Sequence, residues 1–239
     1  MLTLVYAYYD NPNMLAEQLR LWERWTPGVK ASTEIIITDD CSPRWPAQIR
    51  DVGIRMKLFR IKNDVPWNWL ECRNIGAHFA REPWLLLTDM DHVVPMETVI
   101  RIGAGIELGW ISEAMFYTMD RLDAPNLTPY KFHPDSYLMT REFFWRVGGY
   151  DEHYAGNYGT SGIWRQRCMA QGEKGHLPNT YLIRYPGSHL ADARTTTLKR
   201  KEGRDPDTIK NIGKRLREAG ITTPLNFAQP YELVQEINP

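Results

Sequence analysis

What most constrains this chain is a set of short apolar runs in its N-terminal part, each of which stops abruptly at carboxylates. Leu2 to Tyr8 ends near Asp10, Glu34 to Thr38 ends at Asp39-Asp40, and Trp84 to Thr88 ends at Asp89-Met90-Asp91. The three consecutive isoleucines Ile35-Ile36-Ile37 are the mark of a strand buried on both faces. Helical patterns separate the runs. Asn11 can cap a helix to about Trp25 with Leu15, Leu19 and Trp22 on one face, and Trp69 to Arg81 reads as another. A helix from about Arg44 is expected to lead into a strand over Met56 to Ile61. Alternating strands and helices predict a parallel sheet with right-handed crossovers. The strand ends then share one edge, which is where open α/β sheets bind ligands.

Gathering Asp10, Asp39, Asp40, Asp89 and Asp91 on one edge brings like charges together, which raises pKa values unless something offsets them. A divalent cation, or a ligand offering N–H and hydroxyl donors, resolves the conflict. Two carboxylates one residue apart can hold a hard cation that bridges to phosphate. The plainer alternative is that each Asp caps the following helix, and it is strongest for Asp10.

After Asp91 the pattern loosens. A helix is expected over Met96 to Leu108 and a strand over Ala114 to Met119. Asp120 to Pro134 reads as a long polar loop of the kind that forms lids or binding loops. A strand over Ser136 to Thr140, a short helix over Arg141 to Val147 and a Gly148-Gly149 turn follow. A helix over Ser161 to Gln171, a strand over Thr180 to Tyr185 and a basic, partly helical tail from about Leu190 complete the chain.

With 239 residues, 43% of them hydrophobic, the chain suits one large α/β domain, or a domain with a small appendage. A net charge of zero removes any global field toward nucleic acid or acidic lipid. Cys41, Cys72 and Cys168 are scattered, without zinc spacing and too few for a disulfide scaffold, so a cytoplasmic setting is expected. The N-terminus reads as a first strand and not as a signal peptide, and no run approaches the ~20 apolar residues of a membrane helix.

Five motifs in order resemble the GT-A-fold, nucleotide-sugar-dependent glycosyltransferases, especially the family 2 type. They are Ile35 to Ser42 with its Asp39-Asp40-Cys41-Ser42 end, Arg73-Asn74-Ile75-Gly76-Ala77, Trp84 to Asp91, Val147-Gly148-Gly149-Tyr150-Asp151-Glu152, and Arg167 followed by Gly172. The resemblance spans roughly Leu2 to His189. It implies a Rossmann-like, mostly parallel central sheet flanked by helices, with a C-terminal acceptor-side region and a helical tail. The domain over 1–190 would divide into a nucleotide-sugar-binding half over 1–91 and an acceptor-side half over 92–190, with 191–239 as a basic tail and possible lid.

The resemblance also assigns roles. Asp40 would bond the nucleobase, typically uracil, with Ala7 and Tyr9 against the nucleoside and Arg73 near the base or diphosphate. Asp89 would contact ribose or metal, and Asp91 would coordinate Mn²⁺ or Mg²⁺. His189 stands where family members place a further metal ligand, and imidazole there suits Mn²⁺ better; His92 is a weaker candidate. The implied reaction transfers a sugar from a nucleoside-diphosphate donor, UDP-linked as the first choice, to a glycan or nucleic-acid acceptor. A metal would stabilise the departing diphosphate.

The chain departs from the family where the acceptor-side helix starts. The acidic pair that supplies the inverting base is replaced by Tyr158-Gly159-Thr160-Ser161-Gly162. A hydroxyl is no base at neutral pH without activation. Three readings stay open: Asp151, Glu152 or Asp135 is the base; the enzyme is retaining and needs none; or the chain binds the donor without transfer. A nucleotidyltransferase is a further alternative, although Tyr8-Tyr9-Asp10-Asn11-Pro12 lacks a Gly-rich phosphate loop. Arg194 to Lys201, directly after His189, would form a lid over the diphosphate.

Overall fold

The computed structural model describes residues 1–157, 159–193 and 206–239. In chain order the elements are β1 (Leu2–Tyr8), α1 (Pro12–Glu23), α2 (Pro27–Ala31), β2 (Thr33–Asp39), β3 (Arg55–Ile61), α3 (Trp69–Phe79), β4 (Trp84–Asp89), β5 (His92–Val93) and α4 (Met96–Glu107). They continue with β6 (Met115–Asp123), β7 (Thr128–Tyr130), β8 (Tyr137–Thr140), α5 (Arg141–Arg146), a 3-10 turn (Glu152–Tyr154), α6 (Ser161–Gln171), β9 (Glu173–Arg184), α7 (Pro206–Glu218) and β10 (Tyr231–Ile237).

The strands form one sheet in the order β10-β3-β2-β1-β4-β8-β6-β9-β5, with β7 paired to β6. Its centre, β3-β2-β1-β4, is parallel as expected. Beyond β4 the sheet turns antiparallel at β8 and β6, while β9 runs parallel to β6. Side chains alternate across the sheet. On β1 and β2, Leu4, Tyr6, Ile35 and Ile37 pack with Met14, Leu15 and Trp22 of α1. Val5 and Ile36 face the other way, toward Cys72 and Ile75 of α3 and Phe143 and Phe144 of α5. A core on each face accounts for the unbroken apolar runs. No helix among the described residues is long and apolar enough to cross a membrane.

Register aligns the acidic ends. Ala7 pairs with Thr38 on one side and Asp89 on the other, and Tyr8 pairs with Asp39. The last residues of β1, β2 and β4 therefore form a single edge.

Four expectations need correction. No helix follows Arg44, and residues 41–54 are irregular. Pro43 and Pro46 break the pattern, and carboxylates take the backbone N–H groups that a helix would use. Asp10 accepts from Arg44 and Trp45, and Asp39 accepts from Ser42 and Ala47. The expected loop over 120–134 is in part a hairpin, because β6 runs on to Asp123 and pairs with β7. β9 starts directly after Gly172, well before Thr180. After α7 the chain does not end as a helical tail: β10 adds antiparallel to β3 at the sheet edge. The lid expected over Arg194 to Lys201 lies outside the described residues.

Gly76 shows how closely α3 lies on the sheet. A Cβ there would stand 2.3 Å from Val5 Cγ1, and the β-branched Val5 side chain has little room to turn away. Ala at an ordinary helix position gains about 1 kcal/mol over Gly. Here the clash outweighs that gain, and Gly76→Ala is expected to lower stability by about 1–3 kcal/mol, read as a lower urea midpoint. A neutral or stabilising result would refute the close contact.

Candidate active site

The aligned strand ends open into a cleft of about 400 Å³. One side carries Ala7, Tyr9, Asp40, Trp67 and Trp69; the floor carries Asp89, Asp91 and His92; and the far side carries Arg121, Tyr130, Lys131, His133, Asp135 and Arg184. The sequence-expected Ala7, Tyr9, Asp40, Asp89, Asp91 and Asp135 are thus brought together. The two Asp residues that end β2 separate in role. Asp39 turns inward to hold the loop after β2, whereas Asp40 lines the cleft.

Asp89 is held from two sides. Its Oδ1 accepts from Arg73 Nη2 at 2.5 Å, and its Oδ2 lies 3.2 Å from His133 Nε2. Burial alone would push this carboxyl up, but the Arg73 guanidinium and then His133 outweigh it and hold Asp89 well below the usual carboxylate range. The Asp89 side chain is still 37% exposed, on the cleft side.

Arg73 itself is fully buried and does not line the cleft. Its guanidinium also donates to the Asp135 carbonyl (2.5 Å) and the Tyr150 hydroxyl (3.1 Å) and lies 4.6 Å over the Trp69 ring. It supports Asp89 from behind and does not face a ligand directly.

Asp91 Oδ1 lies 2.7 Å from His92 Nδ1. The other ring nitrogen, Nε2, is 3.0 Å from Arg121 Nη1. A guanidinium can only donate, so Nε2 accepts and Nδ1 carries the proton toward Asp91. Burial lowers the His92 pKa despite Asp91, which keeps the ring neutral. Asp89, His92 and His133 each offer a ligand atom, and these atoms lie within 4.8 Å of one another. With both His92 nitrogens engaged, Asp89 and His133, with Asp91 lining the same cleft, are the described residues best placed to hold a cation. His189 is exposed, its ring against Tyr185, and lies outside the cleft.

The three candidate bases separate clearly. Asp151 accepts from the backbone of His153 and Leu225 and from the His153 ring. Glu152 accepts from Asn74 Nδ2 (2.6 Å) and the Ala228 backbone (2.7 Å). Both anchor structure away from the cleft. Asp135 lines it. Burial raises the Asp135 carboxyl, with His133 and then Arg73 opposing, and Ser161 of α6 reaches the same group. Its Oδ1 has no hydrogen-bond partner among the described residues.

His133, Arg121, Tyr130, Lys131, Arg184, Trp67 and Trp69 were not singled out from sequence. They sit in loops, at the start of α3 and toward the ends of β6, β7 and β9, where no periodic signal marks a site, and only the expectation of a binding loop over Asp120 to Pro134 pointed toward most of them.

No protein-family model matches the sequence, and no curated protein matches it. Among solved structures, the chain is similar to S. aureus TarS residues 1–349 in complex with UDP-GlcNAc, with a TM-score of 0.61 at 12% identity over 80% of this chain. The same protein in complex with UDP gives 0.58 at 11% identity over 83% of this chain and 66% of TarS 1–349. In the UDP-GlcNAc comparison the chain spans only 60% of the neighbour's length. At this level of identity the likeness establishes the fold: a GT-A-like α/β architecture with a central sheet flanked by helices.

The charge arrangement predicts a pH signature. A carboxylate whose folded pKa is depressed contributes stability that is present above its unfolded pKa and lost as pH falls through the folded value. Asp89→Asn is therefore expected to flatten the rise in Tm between roughly pH 2 and pH 5. Parallel Tm-against-pH curves for both proteins would show that Arg73 does not depress Asp89.

Proposed function

We propose that this chain is a glycosyltransferase that binds a nucleoside-diphosphate sugar, UDP-linked as the first choice, and transfers the sugar to an acceptor hydroxyl with inversion. The observation that carries this reading is the meeting of Asp40, Asp89 and Asp91 in one cleft at the ends of parallel strands, on the fold of a protein whose structures hold UDP-GlcNAc and UDP. Asp40, Ala7 and Tyr9 would take the nucleoside, and the half over 92–190 would present the acceptor.

The donor set fits a divalent cation. Asp89 offers a hard oxygen and His133 a nitrogen within 4.8 Å of each other, Asp91 lines the same cleft, and this mixture suits Mn²⁺ at least as well as Mg²⁺. Bound there, the ion would supply Lewis-acid stabilisation of the departing diphosphate. Arg73 fixes Asp89 from behind, so the carboxylate does not need to reorganise.

Asp135 is the base. The acceptor oxygen bonds to the anomeric carbon as the bond to the diphosphate oxygen breaks, and the acceptor proton passes to Asp135. Its Oδ1 has no hydrogen-bond partner among the described residues, and its raised pKa strengthens it toward working pH. Ser161, at the start of α6, faces this carboxyl. The acid absent from 158–162 is thus supplied to the same place by the loop before β8. Arg73 holds the Asp135 carbonyl and the Asp89 carboxylate together, which sets the spacing between base and leaving-group wall.

Asp135→Asn is expected to cut turnover by about 10²- to 10⁴-fold while UDP affinity stays unchanged, followed by UDP release and calorimetry. Full turnover in this variant would remove Asp135 as base and favour a retaining route. Asp91→Ala is expected to abolish the increase in UDP affinity that Mn²⁺ gives over EDTA. An undiminished Mn²⁺ effect would move the cation away from Asp91.

A further inference from the structure

Arg121 is only 5% exposed, yet no carboxylate among the described residues lies within 4.0 Å of it. Its Nε donates to the Lys131 carbonyl at 2.8 Å and its Nη1 to His92 Nε2 at 3.0 Å. Both acceptors are neutral. Arg184, also nearly buried, lies against the same aromatic ring. The Arg121 and Arg184 guanidinium carbons lie 4.6 and 3.9 Å from the Tyr130 centroid, and the Lys131 ammonium lies 5.9 Å away. Three cations thus surround one tyrosine on the cleft wall, and Asp123 matches only Arg184, at 2.7 and 2.6 Å. Bringing like charges together in a partly dry wall is unfavourable unless a counter-charge joins them. Tyr130 fixes their geometry but does not cancel their charge.

We infer that Arg121 and Lys131, on the β6–β7 hairpin, form a subsite for a phosphoryl oxyanion. A guanidinium fork and an ammonium held against the same ring and lining the same cleft offer donors from several directions, which suits a tetrahedral group with several oxygens. The oxyanion has two possible sources: the donor's diphosphate, or a phosphate carried by the acceptor. The inference rests on the proposed transfer reaction for this choice of source, while oxyanion binding itself can be measured without it.

Calorimetry with inorganic pyrophosphate on the full chain tests the subsite. Lys131→Gln and Arg121→Gln are each expected to weaken pyrophosphate binding by on the order of tenfold. Lys131 is exposed, so its variant keeps the test valid if loss of Arg121 disturbs folding. Equal affinity in wild type and Lys131→Gln, or no pyrophosphate binding to the wild type, overturns the proposal. UDP then identifies the source. A matching loss of UDP affinity assigns the subsite to the donor. Unchanged UDP affinity, with inorganic phosphate binding to the UDP-saturated wild type and about tenfold more weakly to the variants, assigns it to the acceptor. Variant-sensitive pyrophosphate binding without any UDP binding supports the subsite and refutes the donor reading alone.

Discussion

The fully buried guanidinium of Arg73 sets the terms for the rest of the site. Withdrawing such a cation from water costs several kcal/mol unless charges and dipoles surround it. Its partners come from three other parts of the chain and from its own helix: Asp89 at the end of β4, the Asp135 carbonyl before β8, the Tyr150 hydroxyl after α5, and the Trp69 ring on α3. None can move far without leaving the cation unpaired. The next residue, Asn74, extends the arrangement. Its side chain donates to the Tyr150 carbonyl and accepts from the Tyr150 N–H, both at 2.8 Å. Gly149, at φ +64, makes that approach possible: a Cβ there would meet Asn74 Oδ1 at 2.8 Å.

From Asn74 the connections run on to the C-terminal strand. Glu152 accepts from Asn74 and from the Ala228 backbone, and Glu71 accepts from the Gln229 backbone. α3 is therefore where the parallel half, the glycine turn and the approach to β10 are joined. Two acids so near each other affect titration. Burial and then Glu152 push Glu71 up to about 7. A carboxyl raised in the folded state favours folding below its unfolded pKa, and that contribution is lost as pH rises through the folded value. Its sign is opposite to that of Asp89, so the Glu71 contribution to stability is lost toward neutral pH while that of the Arg73–Asp89 pair is fully present.

The sequence shows the parallel centre well because strands buried on both faces leave unbroken apolar runs, and Ile35-Ile36-Ile37 is the clearest of them. Only the family resemblance picks Asp40 over Asp39 for the cleft; the residue pattern alone does not, because that depends on the loop to Ala47 collecting carboxylate acceptors. Arg73-Asn74 and Gly148-Gly149-Tyr150-Asp151-Glu152 are visible as separate motifs, but their contact is made across 76 residues at Asn74 and Tyr150. The far side of the cleft was hardest to read. Asp123 meets Arg184 through strand register, and Arg121 meets His92 through tertiary folding, neither of which leaves a local pattern. β10 was missed because both of its faces are partly exposed, as an edge strand permits, and no alternation marks it.

The two walls of the cleft carry opposite charge, and this orders what can occupy it. Asp89 and Asp91 repel a diphosphate unless a cation lies between them, whereas Arg121 and Lys131 attract one directly. His92 lies between the two walls, with one nitrogen 2.7 Å from Asp91 and the other accepting from Arg121, and its neutral ring keeps the opposite charges from collapsing into a direct ion pair. A direct Arg121–Asp91 pair would neutralise both walls and leave less charge for a ligand to recognise. Burial of His92, which disfavours its protonation, thus preserves the separation of charge on which the proposed binding of a cation and an oxyanion together would depend.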